Sequence, residues 1–220
     1  MRKQRLYFTI LEVIMMLGLS SSIACQHLHK HRSLNKESVI APPELYESAE
    51  DKKLVSTYQP NLEAIYHKVR ARYEPHQLEF FMITGISFRK IRISKSFDTY
   101  LSLNTKSSKF FSDDTTFEER ASLVFTHYLK PLLTIAVQER TLMHDSALAG
   151  VAITTRWKVK KLLKEKHRIS LSEQVSLITH KEQIDKFLTH SLTDQELLDQ
   201  STLISTNEEQ NSQIIKLHLK

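Results

Sequence analysis

Apolar residues run almost unbroken from Leu6 to Leu19, interrupted by Glu12, and the small residues Ser20-Ser21-Ser22-Ile23-Ala24 follow. From Gln26 to about Ala41 the residues are polar and basic without a sustained period, and Pro42-Pro43 closes the stretch. A short helix is expected from Glu44 to about Val55. Pro60 then suits the first position of a second helix, where its missing N–H has no intrahelical partner in any case. Leu62, Ile65, Tyr66 and Val69 follow the i, i+3, i+4, i+7 spacing of an apolar helical stripe, and Pro75 ends it.

Beyond Pro75 the period drops to two. Leu78, Phe80 and Met82 alternate with polar residues, Ile86 and Phe88 do the same, and Gly85 between them marks a bulge or bend. The phase slips at Arg89-Lys90 before Ile91 and Ile93, and Phe97, Thr99, Leu101 and Leu103 make a further run. An antiparallel ribbon of two or three strands is expected, with one face rich in Arg89, Lys90, Arg92 and Lys95. Thr115 with Glu118, or Thr116 with Glu119, then forms a capping box. Phe117, Ala121, Val124, Tyr128, Leu132 and Ala136 continue at helical spacing to about Met143, with Pro131 kinking or splitting the helix.

Gly150 opens the cleanest strand: Val151, Ile153, Thr155, Trp157 and Val159 on one face, Ala152, Thr154, Arg156, Lys158 and Lys160 on the other. Thr179 with Glu182, and Thr193 with Glu196, open two short helices, and Ile215, Leu217 and Leu219 alternate in a last strand. The fold class is therefore α+β, with antiparallel strands, a long Pro-kinked central helix and shorter flanking helices. The chain divides into a signal peptide over 1–24, a polar basic tether over 25–43 and a single α+β domain over 44–220.

The N-terminus carries an address. Arg2, Lys3 and Arg5 precede the apolar run, which is shorter than the ~20 residues of a membrane span and contains Glu12. A basic start, a short apolar run and small residues describe a secretory signal peptide. The step Ile23-Ala24-Cys25 resembles the lipobox of bacterial lipoproteins, which implies diacylation of Cys25 and a mature chain that starts there. By the same resemblance, Gln26 after the cysteine favours the outer membrane, facing the periplasm, over the inner membrane. Phe8-Thr9-Ile10-Leu11-Glu12-Val13-Ile14 is similar to the start of a type IV pilin or pseudopilin, whose mature chain begins with Phe and has Glu at its fifth position. Tyr7 stands where that family's peptidase takes a small residue, and Pro42-Pro43 would end a continuing helix, which ranks the lipoprotein reading first.

Composition narrows the chemistry. The 220 residues include three glycines and one cysteine, which excludes Gly-rich and Rossmann-type readings, a disulfide scaffold and Cys-based zinc modules. There is no G-x-S-x-G, P-loop or H-E-x-x-H motif. His27, His29 and His31 are weak metal candidates, since a tether supplies no second shell. His144-Asp145 is similar to the HD pair of metal phosphohydrolases, with His127 as the nearest further ligand, but a two-residue match reads first as a polar helix end. His127, beside Val124 and Tyr128, reads as a core or boundary histidine. No cofactor is expected and no catalytic residue is assigned.

Charge supplies the last candidate. The net charge is +6, and residues 171–220 hold four lysines against eight acidic residues, so the excess lies upstream. Arg156, Lys158, Lys160, Lys161, Lys164, Lys166 and Arg168 stand against Glu165 alone, beside Trp157. This is either an anion-binding face or a solvated one. Behind an export signal the polyanions within reach are lipid headgroups or an acidic partner protein rather than nucleic acid. The reading is a lipid-anchored cell-envelope protein acting as a non-catalytic binding, scaffold or assembly subunit. The alternatives are a pilin-like protein and an envelope hydrolase with dispersed catalytic residues.

Overall fold

Among the described residues seven strands form one mixed sheet, and the helices bury their apolar sides against one of its faces. The computed structural model describes residues 38–74, 76–93, 96–162, 168–206 and 212–219, with backbone alone at 161, 162, 168 and 169. Helix α1 spans Ala49–Arg72 and is followed by β1 (Leu78–Phe80), β2 (Ile86–Arg92) and β3 (Phe97–Ser112). Next come α2 (Phe117–Val124), a π-helical turn over Phe125–Leu129, α3 (Lys130–Val137) and α4 (Arg140–Met143). The chain continues through β4 (Leu148–Leu162), β5 (Arg168–His180), α5 (Lys181–Leu188), α6 (Asp194–Gln200), β6 (Thr202–Thr206) and β7 (Ser212–Ile215).

The sheet order is β1-β3-β4-β5-β6-β7, and β2 joins β1 on the same edge of β3. All pairings are antiparallel except β3 with β4. That parallel pair needs a return crossing, which α2 to α4 provide. On the inner face Leu101 lies beside Val151, Leu103 beside Ile153 and Thr105 beside Thr155. These residues and the helical Leu62, Ile65, Val124, Leu132, Ile184 and Leu197 are all buried. The buried apolar side chains of the helices all belong to this one cluster. The α+β class holds, with an antiparallel sheet interrupted by a single parallel pair.

Pro60 acts differently from the sequence expectation, whereas the central helix is interrupted beside Pro131 as expected. Pro60 starts no helix: α1 runs through it as a single helix of 24 residues, opened by Ser48, whose hydroxyl accepts from the Asp51 N–H at 3.0 Å. Pro60 and Ser56 face solvent, so the carbonyl that loses its N–H partner is not buried with it. The continuous stripe of Leu54, Val55, Leu62, Ile65 and Val69 offsets the local cost of roughly 3 kcal/mol. Pro131 is accommodated by the π-helical turn, which passes directly into α3. In an α-helix its N–H would bond the carbonyl of His127, and here the Tyr73 hydroxyl donates to that oxygen at 2.6 Å. The α-helical pattern of the central helix is thus interrupted beside its proline, where a side chain from the end of α1 supplies a donor that Pro131 lacks.

Other boundaries also shift. The capping box uses Thr116 and Glu119, not the pair before it. Thr193 and Glu196 form the expected box, but Thr179 belongs to β5 and α5 starts after His180 without a side-chain cap. Leu217 is buried outside any strand, and the last strand ends at Ile215. Residues 38–41, in the stretch read as tether, lie along β2: Ile40 bridges Ile86, and the Ala41 N–H donates to the Ile86 carbonyl at 2.9 Å. Tyr46 accepts from the Phe88 N–H at 2.9 Å, and burial pushes its hydroxyl up to about 12. The β2 edge thus has partners for part of its backbone.

Candidate functional site

Strand β4 carries the site, and its period of two decides the geometry. Val151, Ile153, Thr155, Trp157 and Val159 are buried on the helix side, while Arg156, Lys158 and Lys160 are exposed on the outer side. Trp157 fixes this phase. Its indole N–H donates to Glu173 at 2.9 Å across the β4–β5 register, and its ring packs against Phe111 and Phe117 at 6.2 and 5.9 Å. Glu173 in turn accepts from Arg120 through both oxygens, at 2.9 and 2.6 Å. The Arg120 guanidinium also donates to the Thr115 carbonyl. With Trp157 held inward, its neighbours Arg156 and Lys158 must point outward.

A register irregularity on β3 completes the strip. Lys106 faces Arg156, and the next pair is Phe110 with Lys158, so β3 advances four residues while β4 advances two. The excess is even, so Phe110 returns to the outer face and stays half-exposed at 46%. Lys158 and Lys160 place their ammonium nitrogens 5.6 and 4.6 Å from the centre of its ring. The Arg156 guanidinium lies 5.0 Å from the ring of Phe81, and Lys109 lies 5.1 Å from that of Phe111. Rings attract cations through their negative faces, so Phe81 and Phe110 hold Arg156, Lys158 and Lys160 where the described residues supply no carboxylate. None of Arg156, Lys158 and Lys160 has a carboxylate partner among the described residues.

A polar ladder borders the strip. Lys106 pairs with Glu79 at 2.8 Å, and Arg156 donates to Gln174 at 3.2 Å. Gln174 donates to Thr206 at 3.1 Å, and the Thr206 and Ser212 hydroxyls lie 3.0 Å apart. The other half of the outer face is apolar, with Tyr100, Ala152 and Ile178 buried together. Tyr100 lies beside Gly150, and its hydroxyl is 3.3 Å from the His180 ring nitrogens. A Cβ on Gly150 would meet the Thr179 carbonyl oxygen at 2.0 Å, so β4 and β5 approach each other there as no larger residue permits.

The remaining candidates separate. Lys161 and Arg168 have paired backbones in β4 and β5, and Lys164, Lys166, Cys25, His27, His29 and His31 lie outside the described residues. The expected basic face of the first ribbon is split: Arg89 shares the outer side with Ser87 and Ile91, whereas Lys90 takes the other side and lies 3.7 Å from Asp51. His127 is exposed on the π-helical turn rather than in the core, and His144 is exposed after α4. The Asp145 carboxylate accepts from the Tyr58 hydroxyl at 2.7 Å and the Ala147 N–H at 2.8 Å, and these bonds hold it below the usual range. Its oxygens are engaged in local structure rather than turned toward His144.

Among the described residues no group of three or more His, Cys, Asp or Glu side chains is arranged to hold a metal ion, and no helix is long and apolar enough to cross a membrane. Comparison with protein-family models, with curated proteins and with solved structures returns no match. Sequence reasoning missed the aromatic half of the strip, Phe81 and Phe110, and the inner pair Arg120–Glu173. Glu173 had a signal: it sits in the apolar phase of Ile169, Leu171, Val175 and Leu177, where a buried carboxylate demands a partner.

Proposed function

We propose that this chain is a lipid-anchored cell-envelope protein, acylated at Cys25, that serves as a non-catalytic binding or scaffold subunit and rests its sheet on an anionic membrane surface. The observation that supports the reading best is the outer strip of Arg156, Lys158 and Lys160, with two ammonium groups gathered at the half-exposed Phe110 ring. Cations without carboxylate partners suit phosphate headgroups, and a half-exposed ring suits the boundary between headgroup and acyl chain. Each basic residue near an anionic leaflet contributes about 1 kcal/mol, so the three together orient an already anchored domain without anchoring it alone.

Intact mass of the mature protein is the test. A chain beginning at Cys25 and carrying acyl groups is expected, with Cys25→Ser abolishing acyl labelling. A mature start at Phe8 would support the pilin-like alternative instead, and a chain still beginning at Met1 would remove the anchor on which the reading depends.

A further inference from the structure

A second feature lies away from the strip, between the α3–α4 corner and α5. There a half-open cavity of about 810 Å3 is lined by Val137 and Met143 on one wall and by Ile184 and Leu188 on the other. Val137, Met143 and Ile184 are buried, and Leu188 is 42% exposed at the mouth. Arg140 and Lys181 stand at the same cavity. The Arg140 guanidinium has no ion pair or hydrogen bond among the described residues. Lys181 donates one hydrogen bond to the backbone carbonyl of Asp145, which leaves two of its three donors. Burial holds its ammonium below the usual lysine range, and the carboxylates of Asp145 and Asp185 oppose that effect.

A lining of four apolar side chains with two donor-rich cations among them describes a site for an amphipathic anion. The volume suits a ligand of roughly ten to twenty heavy atoms. Asp185, one turn along α5 from Lys181, also lines the cavity and is exposed. It repels a second negative group, so the ligand carries one anionic head and not two. The local fold keeps the site open: Glu139, just before α4, is held by Lys68 at 2.7 Å and by Asn61 at 2.8 Å, which anchors the corner to α1. Its carboxylate is thereby unavailable to Arg140.

We propose that this cavity binds a monocarboxylate with an apolar chain, the carboxylate meeting Arg140 and Lys181 and the chain lying on Val137, Met143, Ile184 and Leu188. The site is separate from the basic strip and does not depend on acylation of Cys25.

The purified full-length chain is titrated with octanoate, with acetate, octylammonium and octanedioate as comparisons, and binding is followed by calorimetry. Octanoate is expected to bind at least tenfold more tightly than any of the other three. Arg140→Glu and, separately, Leu188→Asp are each expected to weaken octanoate at least tenfold without moving the melting temperature, since both side chains are exposed. Acetate binding as tightly as octanoate would reduce the site to a bare anion contact. Octylammonium or octanedioate binding as tightly would remove the charge argument, and each of these results overturns the proposal. So does the absence of octanoate binding, or an affinity unchanged in both variants, which would put the ligand elsewhere on the chain.

Discussion

The two faces of β4 are made from alternate residues of one strand, yet they hold charge in opposite ways. On the inner face Glu173 and Arg120, both about nine-tenths buried, neutralise each other through two hydrogen bonds, and Trp157 takes a further position on the carboxylate. On the outer face Arg156, Lys158 and Lys160 are exposed and held by rings instead of carboxylates. Buried charge must be matched where it stands, whereas exposed charge remains free to meet something else. The inner pair therefore belongs to stability, and the outer strip is the part for which recognition is proposed. Substitutions on the two sides separate these roles.

The largest effect is expected inside. Glu173→Ala leaves the Arg120 guanidinium and the Trp157 N–H without their acceptor, and should cost about 3–5 kcal/mol, read by thermal or denaturant unfolding. Gly150→Ala comes next, because the new Cβ meets the Thr179 carbonyl and forces β4 from β5; about 1–3 kcal/mol is expected by the same measurement. Tyr73→Phe should cost about 1–2 kcal/mol, since it orphans the His127 carbonyl that Pro131 has already deprived of a donor.

A smaller, pH-dependent effect is expected at Asp145. Its carboxyl is held below the usual range by the Tyr58 hydroxyl first and the Ala147 N–H second. A folded-state value below the unfolded one gives stability that is complete above the unfolded value of about 4 and is lost as the pH falls through the folded one. Tyr58→Phe should lower stability by about 1 kcal/mol at pH 7, an amount limited by exposure, and the gap from the parent should close as the pH falls below about 4. Unfolding curves at pH 7 and pH 3 check the sign. Smallest of all, replacing Arg156, Lys158 or Lys160 singly by Glu should change stability by only about 0.5 kcal/mol in each case.

How much of this was legible depended on whether the signal was local. The alternation of β4 is written in consecutive residues, so both of its faces follow from the sequence, as does the capping box at Thr193. β5 was missed although Ile169, Leu171, Val175 and Leu177 alternate, because Glu173 interrupts the apolar phase; its partner Arg120 lies 53 residues away, where no spacing rule reaches. Pro60 misled for a related reason, whereas Pro131 did not. Local propensity breaks a helix at Pro60, but a continuous apolar stripe carries α1 through it; beside Pro131 the α-helical pattern does give way, to the π-helical turn, and the Tyr73 hydroxyl supplies a donor there. Of the strip, the basic residues were visible as a charge run. Phe110 was not, because its place beside Lys158 depends on two extra residues in β3. The cavity beside Arg140 brings together α4 and α5 across the β4–β5 hairpin, a juxtaposition that sequence order does not announce.

The most direct test of the two-face account is lysine footprinting of the full-length protein reconstituted into vesicles, with phosphatidylglycerol compared against phosphatidylcholine. Labelling of Lys158 and Lys160 is expected to fall several-fold on the anionic vesicles and to recover in high salt, while the exposed Lys52 on α1 labels equally on both. Equal labelling of Lys158 and Lys160 on the two lipids would contradict the account, because the outer strip would then be a solvated face and nothing more.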